Sequence, residues 1–162
     1  MATKTFPTRN DLPADSRSRV IDLLNQNLAD LTDLYTQTKH AHWNVKGPTF
    51  YQTHLLLDEL AEKVEGFADE VAERATALGG VAHGGAKHVA AHSRLPEFPR
   101  DVFGDQAVIA AAADRYAAVA KNLRSAIDEA NTHGDADTAD LFTEVSREID
   151  KALWFLEAHH QK

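Results

Sequence analysis

Six side chains between positions 54 and 73 are the residues of this sequence best suited to bind a metal ion. Five are carboxylates and one is an imidazole: His54, Asp58, Glu62, Glu65, Asp69 and Glu73. Carboxylate oxygens with a few imidazole nitrogens are the ligand mix expected for ferrous and ferric iron, with zinc or manganese able to compete. On a helix, an advance of about 100° per residue places all six within an arc of roughly 100°. A solvated helix face is the ordinary alternative explanation of such a stripe.

Two details favour metal binding over a solvated face. The nearby basic residues Lys63 and Arg74 lie at other azimuths, so the sequence predicts a stripe without compensating positive charge. Like charges four residues apart, as at Asp58 and Glu62, also destabilise an isolated helix modestly. Cations bound along the stripe would remove both costs.

Only two pairs in this stripe have the spacing to share an ion on one helix. They are His54 with Asp58 and Asp69 with Glu73, each four residues apart. The two pairs lie about 16 Å apart along a helix axis, so one helix cannot bring both to a single ion. An antiparallel copy of the same helix, related by a two-fold axis, could do so. We therefore predict sites that are shared between two chains.

Four long helices account for the positions of these residues. Apolar residues recur with a period near 3.6 over about 15–43, 49–78, 105–132 and 135–160. The apolar stripe of the second segment, away from the carboxylates, consists of Leu57, Leu60, Val64, Phe67 and Val71. The sequence predicts an all-α fold of two hairpins joined by one long crossover, which is the ferritin-like form of the four-helix bundle. We expect one domain over 1–162, with an extended tail at 1–14 and a crossover at 79–104 that has room for a short helix.

The composition of the 162-residue chain is that of an ordinary globular protein. It is 43% hydrophobic and 26% charged, and it has no apolar run of the roughly 20 residues that a membrane helix needs. The first residues contain no apolar signal segment, so we expect a cytoplasmic protein. The net charge of −8 favours cations over nucleic acid as partners. Nine histidines are many for this length, although a histidine-rich surface would explain them too.

One continuous stretch and the spaced ligands after it resemble the Dps family, the mini-ferritins known as DNA-binding proteins from starved cells. The stretch is KHAHWNVKGP at 39–48, and the matching residues that follow are Phe50, His54, Asp58, Asp69 and Glu73. In the family motif, His-Trp-Asn at the end of the first helix precedes H-x3-D and D-x3-E on the second. Segments around Arg74 and Trp154 are similar as well, so the resemblance covers nearly the whole chain.

This resemblance implies an activity and an assembly. The activity is that of a ferroxidase, which oxidises Fe(II) at a di-iron site with hydrogen peroxide in preference to O2. The assembly is a hollow shell of twelve identical subunits that stores the ferric mineral and so protects DNA from oxidative damage. The implied metal ligands are His42, His54 and Asp58 of one subunit with Asp69 and Glu73 of its neighbour, and Asp58 bridges two irons.

The resemblance implies roles for other residues as well. Trp43 and Trp154 resemble tryptophans near the family's site that supply electrons and quench radicals, and simple core packing is the alternative for both. His42 alone, judged by its spacing, favours a histidine packed in the core. Iron entry is implied at a three-fold acidic pore, where Asp140 matches a family aspartate, with Asp135 and Asp137 beside it. Ordinary charge at a helix N-terminus would also explain these three aspartates.

Departures from the family pattern bear on DNA binding. The family often uses a long lysine-rich tail, whereas residues 1–19 carry a net charge of only +2, from Lys4, Arg9, Arg17 and Arg19 against Asp11 and Asp15. We expect DNA binding to be weak or absent, and nucleoid association stays open. A non-enzymatic protein that compacts the nucleoid, with metal in a structural role, is the alternative function.

Two further patterns are open at this point. A ferritin or bacterioferritin carries its di-iron site inside one bundle and needs Glu-x2-His pairs on two inward-facing helices. The single match here is Glu157 with His160, near the end of the chain. His88 and His92, four residues apart, could hold a surface metal ion, while His40 and His83 have no assigned role.

Overall fold

The computed structural model describes residues 4–161, which form five helices and the loops that join them. The helices are α1 (Ala14–Asn44), α2 (Phe50–Ala77), α3 (Ala86–His92), α4 (Asp105–Thr132) and α5 (Ala136–Glu157), and these residues form no strand. The all-α prediction is confirmed, and the long crossover between α2 and α4 contains the short helix α3. The last helix ends three residues before the predicted position. Residues 1–3 of the expected tail lie outside the described range, and no described helix is long and apolar enough to cross a membrane.

The two helical hairpins, α1 with α2 and α4 with α5, share one hydrophobic core. Leu24, Leu57, Tyr116 and Phe142 are among the side chains with no exposed surface. Of the stripe predicted on α2, only Phe67 stays partly exposed. Burying one such large apolar side chain contributes roughly 1.5–3 kcal/mol, so the core fixes which face of each helix points outward.

The crossover is fastened to the bundle by one buried carboxylate, Asp30 of α1. Its two oxygens accept from the backbone N–H and the guanidinium of Arg94 at 2.6–2.9 Å. The amide of Asn122 on α4 donates to the same carboxylate at 3.1 Å. Asp30 is 1% exposed, so this group holds the crossover, α1 and α4 together from inside the protein.

A tight turn at residues 45–49 sets the geometry between α1 and α2. Gly47 has φ 140°, and a Cβ atom there would lie 2.7 Å from the carboxylate of Asp105, which explains the glycine. The Asp105 carboxylate accepts from the backbone N–H and the hydroxyl of Thr49, at 2.8 and 2.6 Å. Asp105 therefore caps the start of α2 from another part of the chain, where negative charge also suits the helix dipole.

Asp30→Ala should destabilise the protein by about 3 kcal/mol, because it leaves the Arg94 and Asn122 donors without their buried acceptor. Asp150→Ala is the matched control, because it breaks the ion pair with Arg124 in which both side chains are about half exposed. The control should cost about 1 kcal/mol or less. Chemical unfolding at fixed protein concentration measures both. Equal effects of the two substitutions would contradict the anchoring role of Asp30.

Candidate metal centre

The carboxylate stripe of α2 lies on the exposed side of the bundle. Glu62, Glu65, Asp69 and Glu73 are exposed, and within residues 4–161 their side chains make no salt bridge or hydrogen bond. The apolar stripe of the same helix faces the core. These carboxylates therefore point away from the chain's own core, as their helical azimuths predicted.

Two histidines at the α1–α2 corner hold each other in place. The Nδ1 atom of His42 lies 2.8 Å from the carbonyl oxygen of His54, and the Nδ1 atom of His54 lies 2.8 Å from the carbonyl oxygen of His42. The rings stack with centroids 3.7 Å apart. Because a carbonyl oxygen only accepts, each Nδ1–H donates, and each Nε2 keeps a free lone pair. A backbone carbonyl that fixes the tautomer in this way is the usual support of a metal-binding imidazole.

The position of His42 is compatible both with the core packing that its spacing favoured and with the ligand role that the family resemblance implied. It is buried, with 8% of its surface exposed, as a core histidine would be. Its Nε2 atom nevertheless points toward the α2 stripe, 3.7 Å from an oxygen of Asp58. Burial orients the ring, and the free nitrogen faces the carboxylate.

A lysine of α1 meets the stripe at Asp58. The Lys39 ammonium donates to the Asp58 carboxylate at 2.5 Å. This contact lowers the pKa of Asp58 below its ordinary value and raises the pKa of Lys39, so both groups are charged at neutral pH. The prediction of an uncompensated stripe is wrong at this position. Lys63 and Arg74 do pair elsewhere, with Glu59 and Asp135.

The predicted ligands fall into two separate groups within one chain. His42, His54 and Asp58 gather at the corner, while Asp69 and Glu73 lie about 16 Å further along α2. In the described part of the chain, no three His, Cys, Asp or Glu side chains are arranged to hold a metal ion. One chain thus presents two partial ligand sets.

Both tryptophans lie on the surface of the chain, not in its core. Trp43, next to His42, is 67% exposed, and Trp154 is 57% exposed. Core packing within one chain therefore does not explain either residue. Other large apolar side chains are exposed around the corner where the histidines lie, namely Phe50, Tyr51 and Leu55.

The three aspartates at the start of α5 have different surroundings. Asp135 is 2% exposed, caps α5 through the backbone N–H of Thr138, and binds the Arg74 guanidinium at 2.8 Å. These contacts explain why Asp135 is buried: it caps α5 and is paired with Arg74. Asp137, with 85% of its side chain exposed, and Asp140 remain on the surface.

Lys39 and Arg74 are the residues of this region whose partners the sequence analysis missed. Lys39 lies three residues before His42, which places both on one face of α1 and was the available signal. No comparable signal linked Arg74 to Asp135, because the two are 61 positions apart and meet only when α2 packs near α5.

Comparison with known proteins agrees with this architecture. A family model described as a ferritin-like domain matches residues 21–162. The DNA protection during starvation protein of Agrobacterium fabrum is 45% identical over 159 residues, which cover 98% of each chain. The chain belongs to the Dps group of the ferritin-like family.

Solved structures of Dps proteins have the same fold. DpsA14 from Streptomyces coelicolor superposes with a TM-score of 0.94 at 31% identity, over 100% of this chain and 96% of that one. A Dps from Mycobacterium smegmatis gives a TM-score of 0.91 at 32% identity, covering 99% and 96% of the two chains. In both comparisons the aligned region includes all the helices of the bundle and the crossover.

The one Glu-x2-His match of the sequence, Glu157 with His160, does not form the di-iron site that a ferritin or bacterioferritin carries inside its bundle. Glu157 and His160 are exposed at the C-terminal end of α5, outside the core. The two residues are therefore ordinary exposed polar residues at the end of a helix.

The Asp105 cap predicts how stability depends on pH. The hydrogen bonds from Thr49 lower the pKa of the Asp105 carboxyl in the folded protein below its ordinary value, so ionised Asp105 stabilises the fold above about pH 4. That contribution is lost as pH falls through the folded pKa. Asp105→Asn should therefore lower Tm at pH 7, and the difference from the parent should shrink below about pH 4.

Asp101→Asn, at an exposed position nearby, is the matched control and should leave Tm unchanged. Thermal unfolding between neutral and acidic pH, at constant protein concentration, gives the measurement. A Tm difference for Asp105→Asn that stays constant down to the lowest pH at which the protein folds would contradict the role of the ionised carboxylate.

Proposed function

We propose that this Dps-type protein is a ferroxidase that takes Fe(II) as substrate and stores the ferric product. The observation that carries the proposal is the reciprocal pair at the corner of α1 and α2. His42 and His54 each donate Nδ1–H to the other's carbonyl, which leaves two Nε2 lone pairs beside the ionised Asp58. Two imidazole nitrogens with carboxylates form a ligand set suited to iron, and zinc or manganese could substitute.

The complete site, in this proposal, forms between two chains related by a two-fold axis. An antiparallel α2 from a second copy brings its Asp69 and Glu73 opposite His54 and Asp58, and symmetry repeats the arrangement once. The exposed Trp43, Phe50, Tyr51 and Leu55 support such an interface, because apolar side chains of this size are commonly covered in assemblies. Fe(II) bound at such a site would supply the counter-charge that Asp69 and Glu73 lack within one chain.

The chemistry is a two-electron reduction of hydrogen peroxide by two ferrous ions held close together. Each Fe(II) gives one electron, the O–O bond breaks, and both oxygens leave as water or hydroxide, so no hydroxyl radical is released. The ferric ions then hydrolyse, release protons to solvent and enter the mineral. The chain's own contribution is to orient both imidazoles, keep Asp58 ionised and present carboxylates that favour the ferric state. In this proposal the exposed Trp43, next to His42 in the sequence, supplies the second electron when one iron reacts alone.

The proposal also covers the assembly, its location in the cell, its oxidant and its relation to DNA, all as the sequence predicted them. We propose a hollow dodecamer in the cytoplasm, with peroxide as the main oxidant and O2 as a slower one. Iron removal would protect DNA without tight binding to it. Near the N-terminus, the Lys4 ammonium lies 4.9 Å from the centroid of the Phe6 ring. The backbone N–H of Phe6 donates a hydrogen bond to the carbonyl oxygen of Gly79, just after α2. We expect any DNA binding to be weak and to fall steeply with salt.

His54→Ala and Glu73→Ala should each slow peroxide-driven oxidation of Fe(II) by about tenfold or more, because each removes a ligand of the shared site. Glu70→Ala is the matched control, since it removes an exposed carboxylate of α2 outside the stripe. Stopped-flow absorbance of ferric product, after anaerobic Fe(II) loading and addition of peroxide, measures the rates. Parent-like rates in both site variants would refute the proposal, whereas failure of Glu70→Ala alone would reveal a site on another face of α2.

Asp140→Asn should slow iron uptake severalfold at low Fe(II) while leaving assembly intact, because an acidic pore raises the local cation concentration. Asp137→Asn should act in the same direction, since Asp137 is exposed beside it. Asp114→Asn, an exposed aspartate of α4, serves as the control. Uptake into assemblies of verified size is the measurement. If uptake is unchanged, Asp137 and Asp140 are ordinary charges of a helix N-terminus.

A further inference from the structure

Three histidines cluster around the short helix α3, away from the stripe of α2. His88 and His92 lie one turn apart on α3, with ring centroids 3.9 Å apart and planes at 12°. The ring of His83, just before the helix, lies 5.1 Å from that of His88. The proposed iron site uses none of these residues.

The donor atoms of this pair are available to a metal ion. His92 donates its Nδ1–H to the carbonyl oxygen of His88 at 2.9 Å, which leaves its Nε2 free, and its side chain is exposed. His88 is half-buried.

We propose that His88 and His92 chelate one zinc-like divalent transition ion through their Nε2 atoms. Two histidines four residues apart on one helix face are a recognised zinc-binding arrangement. In the proposed complex each Nε2 atom would lie about 2.1 Å from the ion, and water would fill the remaining coordination positions.

The chemistry of the donors separates this site from the α2 stripe. Nitrogen donors without carboxylate favour Zn²⁺ or Cu²⁺ over Fe²⁺, whereas a carboxylate-rich stripe favours iron. The α3 pair would therefore take a metal that is not the ferroxidase substrate. The proposal stands independently of the proposed function.

Chelation would also stabilise the crossover. α3 has seven residues, too few for a helix that is stable without tertiary contacts. The His92 carbonyl accepts from Gln26 of α1 at 2.9 Å, and Ser93 and Arg94 continue into the contacts with Asp33 and Asp30. An ion that bridges one turn of α3 would hold the helical form of this segment and reinforce its attachment to α1.

The test is zinc binding by the assembled, metal-free protein, followed by calorimetry and by amide hydrogen exchange. His92→Gln, and separately His88→Gln with His92→Gln, should lose about one zinc equivalent per chain or bind it about tenfold more weakly. Zn²⁺ should slow hydrogen exchange at residues 86–93 in the parent and not in the variants. The rate of Fe(II) oxidation should be unchanged in all of them. His133→Gln, which removes a histidine at the end of α4, is the matched control and should bind zinc like the parent.

Parent-like zinc stoichiometry and affinity in His92→Gln would overturn the proposal, and so would the absence of zinc-dependent protection at residues 86–93. His92 is exposed, so its substitution keeps the test valid if the double variant fails to fold. Loss of zinc in His133→Gln as well would also contradict the assignment, because it would place the bound ion elsewhere.

Discussion

Helix α2 has an apolar face that must be buried and an acidic face that must stay outside the core. The arrangement of the candidate site depends on this pair of constraints. Leu57, Leu60 and Val64 bury one face in the core, and their loss of exposed surface fixes the rotation of the helix. With that rotation fixed, the carboxylates four residues apart must point outward, where they repel one another modestly. A helix held in this way cannot turn its acidic face inward to build a site within its own bundle. The ligands are therefore presented to whatever lies outside the chain, which in our proposal is a second copy of α2.

In our proposal, the corner between α1 and α2 completes one half of a metal site on this outward face. The turn at Gly47, capped by Asp105, brings the end of α1 against the start of α2. This contact lets His42 and His54 exchange hydrogen bonds with each other's backbone. The same bonds satisfy polar groups of a helix corner and select the tautomer that leaves each Nε2 free, so in our proposal stability and metal binding depend on the same residues. The hydrogen bond from Lys39 lowers the pKa of Asp58.

The sequence was sufficient where a single helix determines the answer. The apolar period of α2 located its buried face, and the azimuths of Glu65 and Asp69 followed from it. It was insufficient where two helices meet, because the contact of Lys39 with Asp58 and that of Arg74 with Asp135 depend on tertiary packing. His42 illustrates the boundary: its spacing indicated burial, whereas its role depends on which atom faces Asp58. The family motif supplied the proposed ligand set, and the geometry shows how its two histidines fix each other's tautomer.

The most direct test of a shared site is complementation between two impaired variants. In a shared site, a dimer of His54→Ala with Glu73→Ala places both substitutions in one site and leaves the other intact. Random reassembly of equal amounts makes about half of the dimers mixed, so about a quarter of the parent rate of Fe(II) oxidation should return. Each variant reassembled alone is the control and should keep its own slowed rate, about a tenth of the parent rate or less. If verified mixed assemblies recover no activity, each chain builds its own site, and the account of α2 as half of a shared centre is wrong.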